Sequence, residues 1–404
     1  MEIDLTTAHR NLSRWCRARD FAGYDPYDAL NSGLFQATPL KHSRIARLAW
    51  TQLFKRSPLN LRGLARVPAE RNSKSTALFA LAALADYRRL QTVEAETDAR
   101  ALLDDLLAAR LTSKSGAACW GYNFDWQSRS FFAPRGTPTV VPTAFAVRAF
   151  IEASRALEDE SCLQAARSAC DFILRDLNRS AEGTDEVCFS YSPLDRTRVF
   201  NASLLAGEVL ACVGSLTGEE ELVDWGMRAA RYVVRRQNDE GSWAYGVDGY
   251  QSWADNFHTA FVLTSLSRII EVVTGPLGVA SGLRNALEPA LRRGYDFWRE
   301  RFFLSNGWPK YFPDRLYPAD AHSAGAAIAA LVELQSLDAG AIELAETVAR
   351  WAIENLRDPR GHFFYQRRRF HTVRIPYMRW SEAWMMYGLA RILEGKRKKA
   401  KGKS

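Results

Sequence analysis

The sequence predicts an all-α fold: a closed ring of six helical hairpins, or (α/α)6 toroid, with short β-hairpin loops on one face. Six small-residue-rich apolar segments recur at intervals of 70, 58, 56, 64 and 60 residues; they begin near Asn72, Pro142, Phe200, Asn256, Asp320 and Trp380. Amphipathic segments alternate with them near residues 42–55, 95–111, 160–177, 220–237, 284–303 and 340–356. Apolar spacing of three and four indicates helices, and two-helix repeats of this length stack as a solenoid or close into a ring. Closure is favoured because a helix that is apolar on most faces must be buried on all sides.

Length and composition indicate one large domain without a membrane span. Of the 404 residues, 47% are hydrophobic and 12% are aromatic, enough for a sizeable packed core. The N-terminus lacks a basic-then-apolar signal pattern, and no run approaches the roughly 18 apolar residues of a membrane span. We therefore expect a soluble, cytoplasmic protein with an N-terminal arm and helix at 1–37, a toroid domain at 38–395 and a basic disordered tail at 396–404.

The net charge of +8 comes mostly from the C-terminal tail. Its basic residues are Lys396, Arg397, Lys398, Lys399, Lys401 and Lys403, which leaves +2 for everything before them. A short basic tail is usually solvated, so nucleic acid is not expected as a partner. Weak contact of this tail with an anionic membrane or an acidic partner is the alternative.

Cysteine spacing and known cofactor motifs point to no prosthetic group. The cysteines Cys16, Cys119, Cys162, Cys170, Cys188 and Cys212 form no CxxC pair and no zinc-like spacing with histidine. Buried free thiols in a reducing compartment are expected. The sequence contains no P-loop, GxGxxG, nucleophile elbow or HExxH, so we expect neither a metal nor a cofactor.

Long connections lead from each outer helix to the next inner helix, at 112–141, 178–199, 238–255, 304–319 and 357–378. Loops beyond about 12–15 residues tend to be functional. Each contains alternating aromatic residues: Trp120-Gly-Tyr122, Phe189-Ser-Tyr191, Trp243-Ala-Tyr245, Trp308-Pro-Lys-Tyr311 and Phe363-Phe-Tyr365. Each is expected to form a short strand before an inner helix, so the five loops would converge on one face, which is the predicted site.

Six hairpins with aromatic loops resemble the (α/α)6 families that act on sugars. These are the N-acylglucosamine 2-epimerase-like proteins, the unsaturated glucuronyl hydrolases and the helical domain of glucuronyl C5-epimerases. Asn123-Phe-Asp-Trp-Gln, Arg135-Gly-Thr-Pro and Asp314-Arg-Leu-Tyr-Pro-Ala-Asp-Ala-His-Ser are similar to a group of bacterial proteins associated with exopolysaccharide biosynthesis. This resemblance covers nearly the whole chain after residue 10 and implies a pathway more than a reaction.

A second resemblance points to another chemistry. Gln237-Asn-Asp-Glu-Gly-Ser-Trp243 is similar to the QW repeat of squalene-hopene-type terpene cyclases, although their DxDD acid motif is absent. The segment is therefore interpreted either as a structural clamp between an outer helix and the following loop or as a sign of an isoprenoid cyclase.

His258 and His322 are the main candidates for acid/base catalysis. They lie in Asn256-Phe-His258 and Asp320-Ala-His322, which we align as matching helix starts of neighbouring repeats. Imidazole titrates near neutrality and can take or return a proton. In the 2-epimerase-like families two histidines on this face form the acid/base pair, so the resemblance implies that role here. The alternative is that each histidine hydrogen-bonds a helix start.

Asp125, Asp255 and Asp320 are the candidate carboxylates. Glycoside hydrolysis needs two carboxyl groups roughly 5–9.5 Å apart, and three aspartates on one rim would supply such a pair. The alternative for Asp255 and Asp320 is helix N-capping. Asp125 would equally contact a sugar hydroxyl or fix its own loop.

Cationic and aromatic residues of the long loops describe a cleft for an anionic glycan. The cationic residues are Arg129, Arg135, Lys310, Arg315, Arg374 and Arg379, and the aromatic residues are Trp120, Tyr122, Trp126, Trp243, Trp253, Trp308 and Tyr311. Guanidinium groups suit carboxylate or phosphate, and aromatic faces cover pyranose rings. For each arginine alone, a solvated loop charge is the alternative.

Tyr317, like Tyr365 and Tyr377, is a candidate proton donor near an oxyanion or enolate. Lyases and C5-epimerases abstract a proton beside a carboxylate, which requires a cation and a base. Arg315, Tyr317 and His322 would fill those roles together.

Three functions follow. The first is an enzyme with epimerase, lyase or hydrolase chemistry on an anionic or lipid-linked sugar or glycan of bacterial polysaccharide biosynthesis. The second is a terpene or isoprenoid cyclase, which requires an apolar cavity. The third is a non-catalytic glycan-binding subunit of a polysaccharide assembly system.

Overall fold

A computed structural model describes residues 4–129, 131–181, 183–274 and 281–401. The helices are α1 Leu5–Arg17, α2 Gly33–Gln36, α3 Arg44–Arg56, α4 Ser73–Leu90, α5 Val93–Ala108, α6 Val140–Leu157, α7 Glu160–Arg175, α8 Phe200–Thr217, α9 Glu220–Val234, α10 Asn256–Thr274, α11 Ser281–Phe302, α12 Ala321–Glu333, α13 Ala341–Leu356 and α14 Ala383–Lys401. The two-residue strands are β1 Leu111–Thr112, β2 Ala118–Cys119, β3 Trp126–Gln127, β4 Phe132–Ala133, β5 Arg179–Ser180, β6 Cys188–Phe189, β7 Ala319–Asp320, β8 Gln366–Arg367 and β9 Thr372–Val373. They pair antiparallel as β1–β2, β3–β4, β5–β6 and β7–β8–β9.

The even-numbered helices from α4 to α14 form the inner ring. Each packs against the next, and α14 packs against α4, so the ring is closed. Their first turns and middles are buried almost completely, as in α8, where the buried residues run from Phe200 to Ala211 without interruption. The predicted (α/α)6 toroid is confirmed.

The outer layer differs from the prediction at one position. Helices α5, α7, α9, α11 and α13 back the inner helices from α4 to α12, but α14 is backed by α1. The predicted helix at 42–55 is present as α3, yet it packs on the short turns Asp28–Asn31 and Pro39–His42 and on β3. An amphipathic pattern requires only some apolar surface to cover, so it could not distinguish an outer helix from a helix lying over the loops.

The C-terminal helix also changes a predicted boundary. α14 continues to Lys401, so the tail expected to begin at residue 396 starts inside a helix, and residues 402–404 lie outside the described residues. The ring closes at the other end of the chain through α1, whose Leu5, Ala8, Leu12 and Cys16 are buried. The boundary expected at residue 37 therefore does not separate α1 from the toroid.

Charged side chains link the inner helices in their middle and C-terminal halves. The ion pairs are Arg88–Glu152, Arg88–Glu394, Arg148–Glu208, Arg268–Glu208 and Arg268–Glu333. They join α4 to α6 and α14, α6 to α8, and α10 to α8 and α12. Burial opposes the charge of Arg391 on α14, but Tyr387 and Glu333 raise its pKa, which couples α12 to α14. We call this set the ionic ring.

Two further expectations concern the buried residues. All six cysteines are free thiols, five of them buried and Cys212 half-buried, as predicted. Helices α8 and α10 are long and apolar enough to cross a membrane. Both belong to the buried inner ring, which accounts for their composition.

All the long connections enter inner helices at their N-termini, so they lie on one face of the ring. Five were predicted. The sixth, residues 18–72 between α1 and α4, contains α2 and α3 and is the longest; we call it the cap. The cap crosses the mouth of the ring and positions much of the candidate site.

Candidate active site

In the aromatic motif of each long loop, the first and the last residue lie in different environments. The first ones are buried in the core: Trp120, Phe189, Trp243, Trp308 and Phe363. The Trp120 indole donates to the Leu106 carbonyl at 2.8 Å and the Trp243 indole to the Val233 carbonyl at 3.0 Å. Trp120, Trp243 and Trp308 are therefore structural anchors, which corrects their prediction as sugar-stacking residues.

The last residue of each aromatic motif is a tyrosine. The backbone carbonyl groups of four of these five tyrosines accept the same kind of hydrogen bond. The first backbone N–H of an inner helix donates to the tyrosine carbonyl of the next loop; the pairs are Val140–Tyr191 at 3.0 Å, Phe200–Tyr245 at 3.1 Å, Asn256–Tyr311 at 3.0 Å and Ala321–Tyr365 at 3.1 Å. The first N–H groups of a helix have no partner within it. The contact satisfies one of them and fixes each tyrosine beside the ring axis.

These residues, Tyr122, Tyr191, Tyr245, Tyr311 and Tyr365, form what we call the tyrosine ring. Burial raises the pKa of every one of them, so all carry a phenolic proton at neutral pH. Several also influence one another electrostatically, and Tyr27 of the cap influences four of them. The Tyr27 ring lies 5.4 Å from that of Trp380, so the cap contributes Tyr27 to the surroundings of the tyrosine ring.

Ion pairs and hydrogen bonds hold the cap in place. Asp28 accepts from Arg62 Nε at 2.6 Å and pairs with Arg379, and all three side chains are buried. Arg62 also donates to the Tyr377 hydroxyl at 2.9 Å. Lys55 Nζ lies 2.5 Å from the Tyr27 hydroxyl. Arg379 and Tyr377 therefore anchor the cap, and neither faces a substrate.

His258 and Asp255 form a hydrogen-bonded pair at the start of α10. The His258 backbone N–H donates to Asp255 Oδ1 at 2.8 Å, and its ring Nδ1 lies 2.8 Å from Asp255 Oδ2. The His258 side chain keeps 21% of its surface accessible, whereas the Asp255 side chain has none. Because the carboxylate fixes Nδ1, Nε2 is the nitrogen available to a ligand.

His322 occupies a different position from His258. Asp320 caps α12 by accepting from the Ser323 N–H at 2.7 Å, just as Asp255 accepts from the His258 N–H. Asp255 therefore matches Asp320, and His258 matches Ser323. The alignment of the two histidines from the sequence is wrong by one residue, and both aspartates do act as helix caps.

The His322 ring is enclosed by aromatic rings. It stacks on Trp380 at 4.1 Å and meets Phe257 at 4.3 Å, and Phe257 lies 4.1 Å from His258 on its other side. Neither His322 nitrogen has a hydrogen-bond partner among the described residues. Burial, with Lys74 and His258 nearby, holds its pKa well below the usual value, so the imidazole is neutral.

Lys74 adds a cation that the sequence interpretation missed. It lies in the first turn of α4, and its ammonium is within 4.9 Å of the Trp380 ring centre and 5.6 Å of the Phe145 ring centre. Burial lowers its pKa to about 8, although Asp25 of the cap counteracts this. Burial likewise raises the pKa of Asp25 and of Asp320 to about 6 each.

The space beside this cluster is small in the present conformation. A cavity of about 10 Å³ lies against Asn201, Tyr245, Asp255 and His258, which is room for about one water molecule. A larger groove of about 580 Å³ runs between the 238–254 loop and α11. That groove lies outside the ring and contains neither histidine. The cavity beside His258 is therefore too small for a sugar in this conformation.

Most predicted cationic residues lie on the rim rather than in the site. Arg135 pairs with Glu70, Arg315 with the adjacent Asp314, and Lys310 donates to the Pro313 carbonyl at 2.7 Å. Arg129 and Arg374 are exposed. The predicted grouping of Arg315, Tyr317 and His322 is not assembled, since Arg315 is exposed and Tyr317 packs on Trp308.

Asp125 and Trp126 have loop and wall positions. Asp125 accepts from the Arg135 N–H at 2.7 Å and from Gln36 at 3.2 Å, so it fixes the loop against the cap. Trp126 contacts Tyr191 and, more distantly, Tyr122, which places it beside the tyrosine ring; its role in binding stays a prediction.

The QW-like segment acts as a clamp. Gln237 donates to the Gly241 and Ala290 carbonyls at 2.9 Å each and accepts from Arg293 at 2.8 Å. The segment thus ties α9 to α11 outside the ring, in agreement with its structural interpretation.

The residues that were missed are Lys74, Asp25, Tyr27, Tyr191 and Tyr245. For Tyr191 and Tyr245 a signal existed, because both belong to the aromatic motifs of the long loops, as Tyr122, Tyr311 and Tyr365 do. For Lys74, Asp25 and Tyr27 no spacing linked α4 and the cap to the five loops.

Comparison with known proteins identifies the fold. No protein-family model and no curated protein matches the chain. Similar solved structures include a cellobiose 2-epimerase from Bacillus thermoamylovorans (12% identity over 83% of this chain and 90% of that chain, TM-score 0.59), a sugar epimerase from a ruminal bacterium (14%, 83%, 90%, 0.62) and a GH76 alpha-mannanase from Bacteroides thetaiotaomicron (12%, 82%, 88%, 0.59). The chain shares the (α/α)6 toroid fold with these sugar-processing proteins.

Proposed function

We propose that this protein is a carbohydrate-active enzyme that transfers protons on a sugar, with His258 as the base. The observation that carries the proposal is the His258–Asp255 pair inside the tyrosine ring, at the N-terminal face of a toroid. The similar structures include two epimerases, a D-mannose isomerase and a GH76 alpha-mannanase. They support the class of substrate, while the reaction is argued from this chain's own residues.

His258 is suited to general base catalysis. Asp255 holds Nδ1 and favours the imidazolium that forms once Nε2 accepts a proton. The proton would come from a sugar carbon next to a carbonyl, as in epimerisation or isomerisation. Hydrolysis is supported less well, because Asp125 fixes its loop and Asp255 and Asp320 cap helices. Asp255 is in addition already engaged with His258.

Proton abstraction beside a carbonyl leaves negative charge on the oxygen. The Lys74 ammonium and the protonated hydroxyls of the tyrosine ring are the groups available to stabilise it. Preorganised donors in a site that excludes water are worth much more than in solvent. Neutral His322 has ring nitrogens without a partner among the described residues, and these would hydrogen-bond to a sugar hydroxyl. The proton that His258 has taken would then return to the sugar from the His258 imidazolium.

The substrate itself is proposed to be a glycan of polysaccharide biosynthesis with an uncharged ring at the reacting position. Four carboxyl groups, those of Asp25, Asp28, Asp255 and Asp320, lie around the site, which disfavours an acidic group there. Acidic groups further along the glycan would meet the exposed rim arginines. The cytoplasmic location and a weak membrane contact of the basic tail stay predictions.

The cyclase hypothesis is not carried further. It rested on the QW-like segment, whose glutamine and tryptophan have hydrogen-bond partners in the clamp. In addition, the buried Lys74 and Asp25 and the half-buried His258 make the site polar, whereas a cyclase requires an apolar cavity.

The proposal is tested by ligand binding followed by turnover. Neutral oligosaccharides, uronic-acid oligosaccharides and isoprenoid diphosphates are compared for their effect on the thermal midpoint, because ligands of the folded state raise it. We expect shifts with saccharides only, and isomerised product from those that bind. His258→Gln should abolish turnover while the exposed His371→Gln control retains it. A shift with isoprenoids alone would refute the proposal.

A further inference from the structure

The cap carries an unusual surface that the proposed chemistry does not use. Residues 29–69 contain seven lysines and arginines and neither aspartate nor glutamate. The basic residues are Lys41, Arg44, Arg47, Lys55, Arg56, Arg62 and Arg66. Arg62 is neutralised by Asp28 inside the cap, and Arg44, Arg56 and Arg66 are exposed. The outer surface of the cap is therefore positively charged.

The same segment exposes large aliphatic side chains. They are Leu34, Leu40, Ile45, Leu53, Leu59 and Leu64. On α3, Ile45 is 80% exposed and Leu53 is 53% exposed, and the exposed Ala49 lies between them. Positions i, i+4 and i+8 share one helix face, so α3 presents an apolar stripe to solvent while Phe54 and Trp50 face inward. A helix of a water-soluble domain normally has polar residues on that face.

The connection before α14, which lies on the same face of the ring, extends this surface. The β8–β9 hairpin presents Arg368, Arg369 and Phe370 at its tip, and Phe370 is 88% exposed. Arg368 donates to the carbonyl of Arg56, the last residue of α3, at 3.3 Å. The tip is thus continuous with the C-terminal end of α3, and it adds an exposed aromatic ring flanked by arginines.

The N-terminal end of α3 is attached to a different loop. Arg44 donates to the Arg129 carbonyl at 2.6 Å, and Arg47 donates to Gln127 at 2.8 Å. α3 therefore bridges the loop before α6 and the loop before α14, across the mouth of the ring. Whatever binds its outer surface lies directly over the candidate site.

We propose that the outer surface of the cap and the β8–β9 tip form a docking surface for an anionic lipid bilayer. Exposed leucine, isoleucine and phenylalanine insert among the acyl chains and headgroups, while the surrounding arginines attract acidic phosphates. Charge complementarity selects this occupant, because residues 29–69 and the β8–β9 tip contain no acidic residue. Aliphatic side chains, in turn, gain nothing from a hydrated polysaccharide. Docking would bring the mouth of the ring to the membrane surface, where lipid-linked saccharides reside.

The test is co-sedimentation of the whole protein with vesicles. Vesicles of phosphatidylcholine alone are compared with vesicles that also contain phosphatidylglycerol. We expect binding to the acidic vesicles that weakens with salt. Ile45→Asp/Leu53→Asp and Phe370→Ser should each reduce partitioning by roughly tenfold or more, as should Arg56→Glu/Arg66→Glu. These side chains are exposed, and circular dichroism verifies the fold.

Matched controls separate the surface from general charge and hydrophobicity. Val93→Asp removes an aliphatic side chain that is 76% exposed on α5, and Arg10→Glu/Arg14→Glu reverses two exposed charges of α1. Both controls should bind like wild type. Vesicle binding does not depend on turnover, so its result is independent of the proposed function.

Three outcomes would overturn the proposal. The first is absence of binding to acidic vesicles. The second is binding that a soluble polyuronate competes away and that Ile45→Asp/Leu53→Asp leaves unchanged, which would indicate an acidic polymer. The third is a wild-type dimer in sedimentation velocity that the same double variant dissociates without any vesicle binding, which would indicate a second copy of the chain.

Discussion

At the scale of single residues, the candidate site combines groups whose pKa values lie on both sides of neutrality. Burial moves the pKa of Lys74 down to about 8 and those of Asp25 and Asp320 up to about 6. Shifts of this kind, produced by desolvation next to charged partners, are typical of functional sites. They make the pH dependence of activity a direct test of which groups matter.

We expect turnover to be greatest between about pH 6 and pH 8. Below about 6, Asp25 and Asp320 gain protons, and above about 8 Lys74 loses its charge. Lys74→Met should lower kcat by roughly 10²–10³, the usual cost of losing an oxyanion donor. Its residual activity should lack the decline near pH 8, and the exposed Lys114→Met is the control. An alkaline decline that persists in Lys74→Met would assign that limb to another group.

The arginines illustrate what residue types alone cannot predict. Arg135, Arg315 and Arg379 all fall in long loops, but one pairs on the rim, one is exposed beside Asp314 and one is buried against Asp28. Two of the partners are distant in the sequence and one is the adjacent residue. The sequence around an arginine does not show which of these ion pairs it forms. The sequence alone therefore could not show which of the grouped arginines lie near the site.

At the scale of elements, the inner helices could be predicted because burial on all sides leaves a mark on composition. Small residues also let these helices approach closely. A Cβ atom on Gly325 of α12 would lie 2.5 Å from the backbone of Trp384 in α14, and one on Gly388 would lie 2.6 Å from the Gly325 carbonyl. Such contacts must be relieved by moving a helix.

Gly325→Ala should therefore destabilise the protein by about 1–3 kcal/mol, the usual cost of overpacking a core. The control is Gly63→Ala, where an added Cβ meets nothing within 4 Å. Urea unfolding followed by circular dichroism measures both. Equal stability of the two variants would show that α12 and α14 can separate without cost.

The element that the sequence misplaced is α3. Its hydrophobic pattern resembles that of an outer helix, because Trp50 and Phe54 face a buried surface in either position. The outward Ile45 and Leu53 were the distinguishing feature, since an outer helix of a soluble toroid would carry charges there. Pairing α14 with α1 also required knowing that the ring closes between the two ends of the chain.

At the scale of the whole molecule, the ionic ring joins the inner helices where no loop connects them directly. Burial opposes ionisation of Glu208, but Arg148 and Arg268 outweigh it and lower the pKa of Glu208 to about 2. Because this pKa lies below the ordinary value of 4.5, the stabilisation is complete above about pH 4.5. It is lost as the pH falls from there through about 2.

We expect Glu208→Gln to destabilise the fold by about 3–5 kcal/mol at pH 7, because the buried Arg148 loses its carboxylate partner and Arg268 loses one of its two. The difference from wild type should shrink as the pH falls below 4.5. Glu354→Gln, at an exposed position of α13, should change the free energy of unfolding by less than about 0.5 kcal/mol. A Glu208→Gln effect as small as that of the control would mean that the ionic ring contributes little to closure.

The proposed function requires His258 to take a proton from a sugar carbon. The most direct measurement is incubation of each bound saccharide with the enzyme in heavy water, followed by NMR of the carbon next to the carbonyl. We expect deuterium at that carbon with the wild type and with His371→Gln, and no deuterium there with His258→Gln. Saccharide turnover without deuterium at any carbon, or incorporation that persists in His258→Gln, would contradict it.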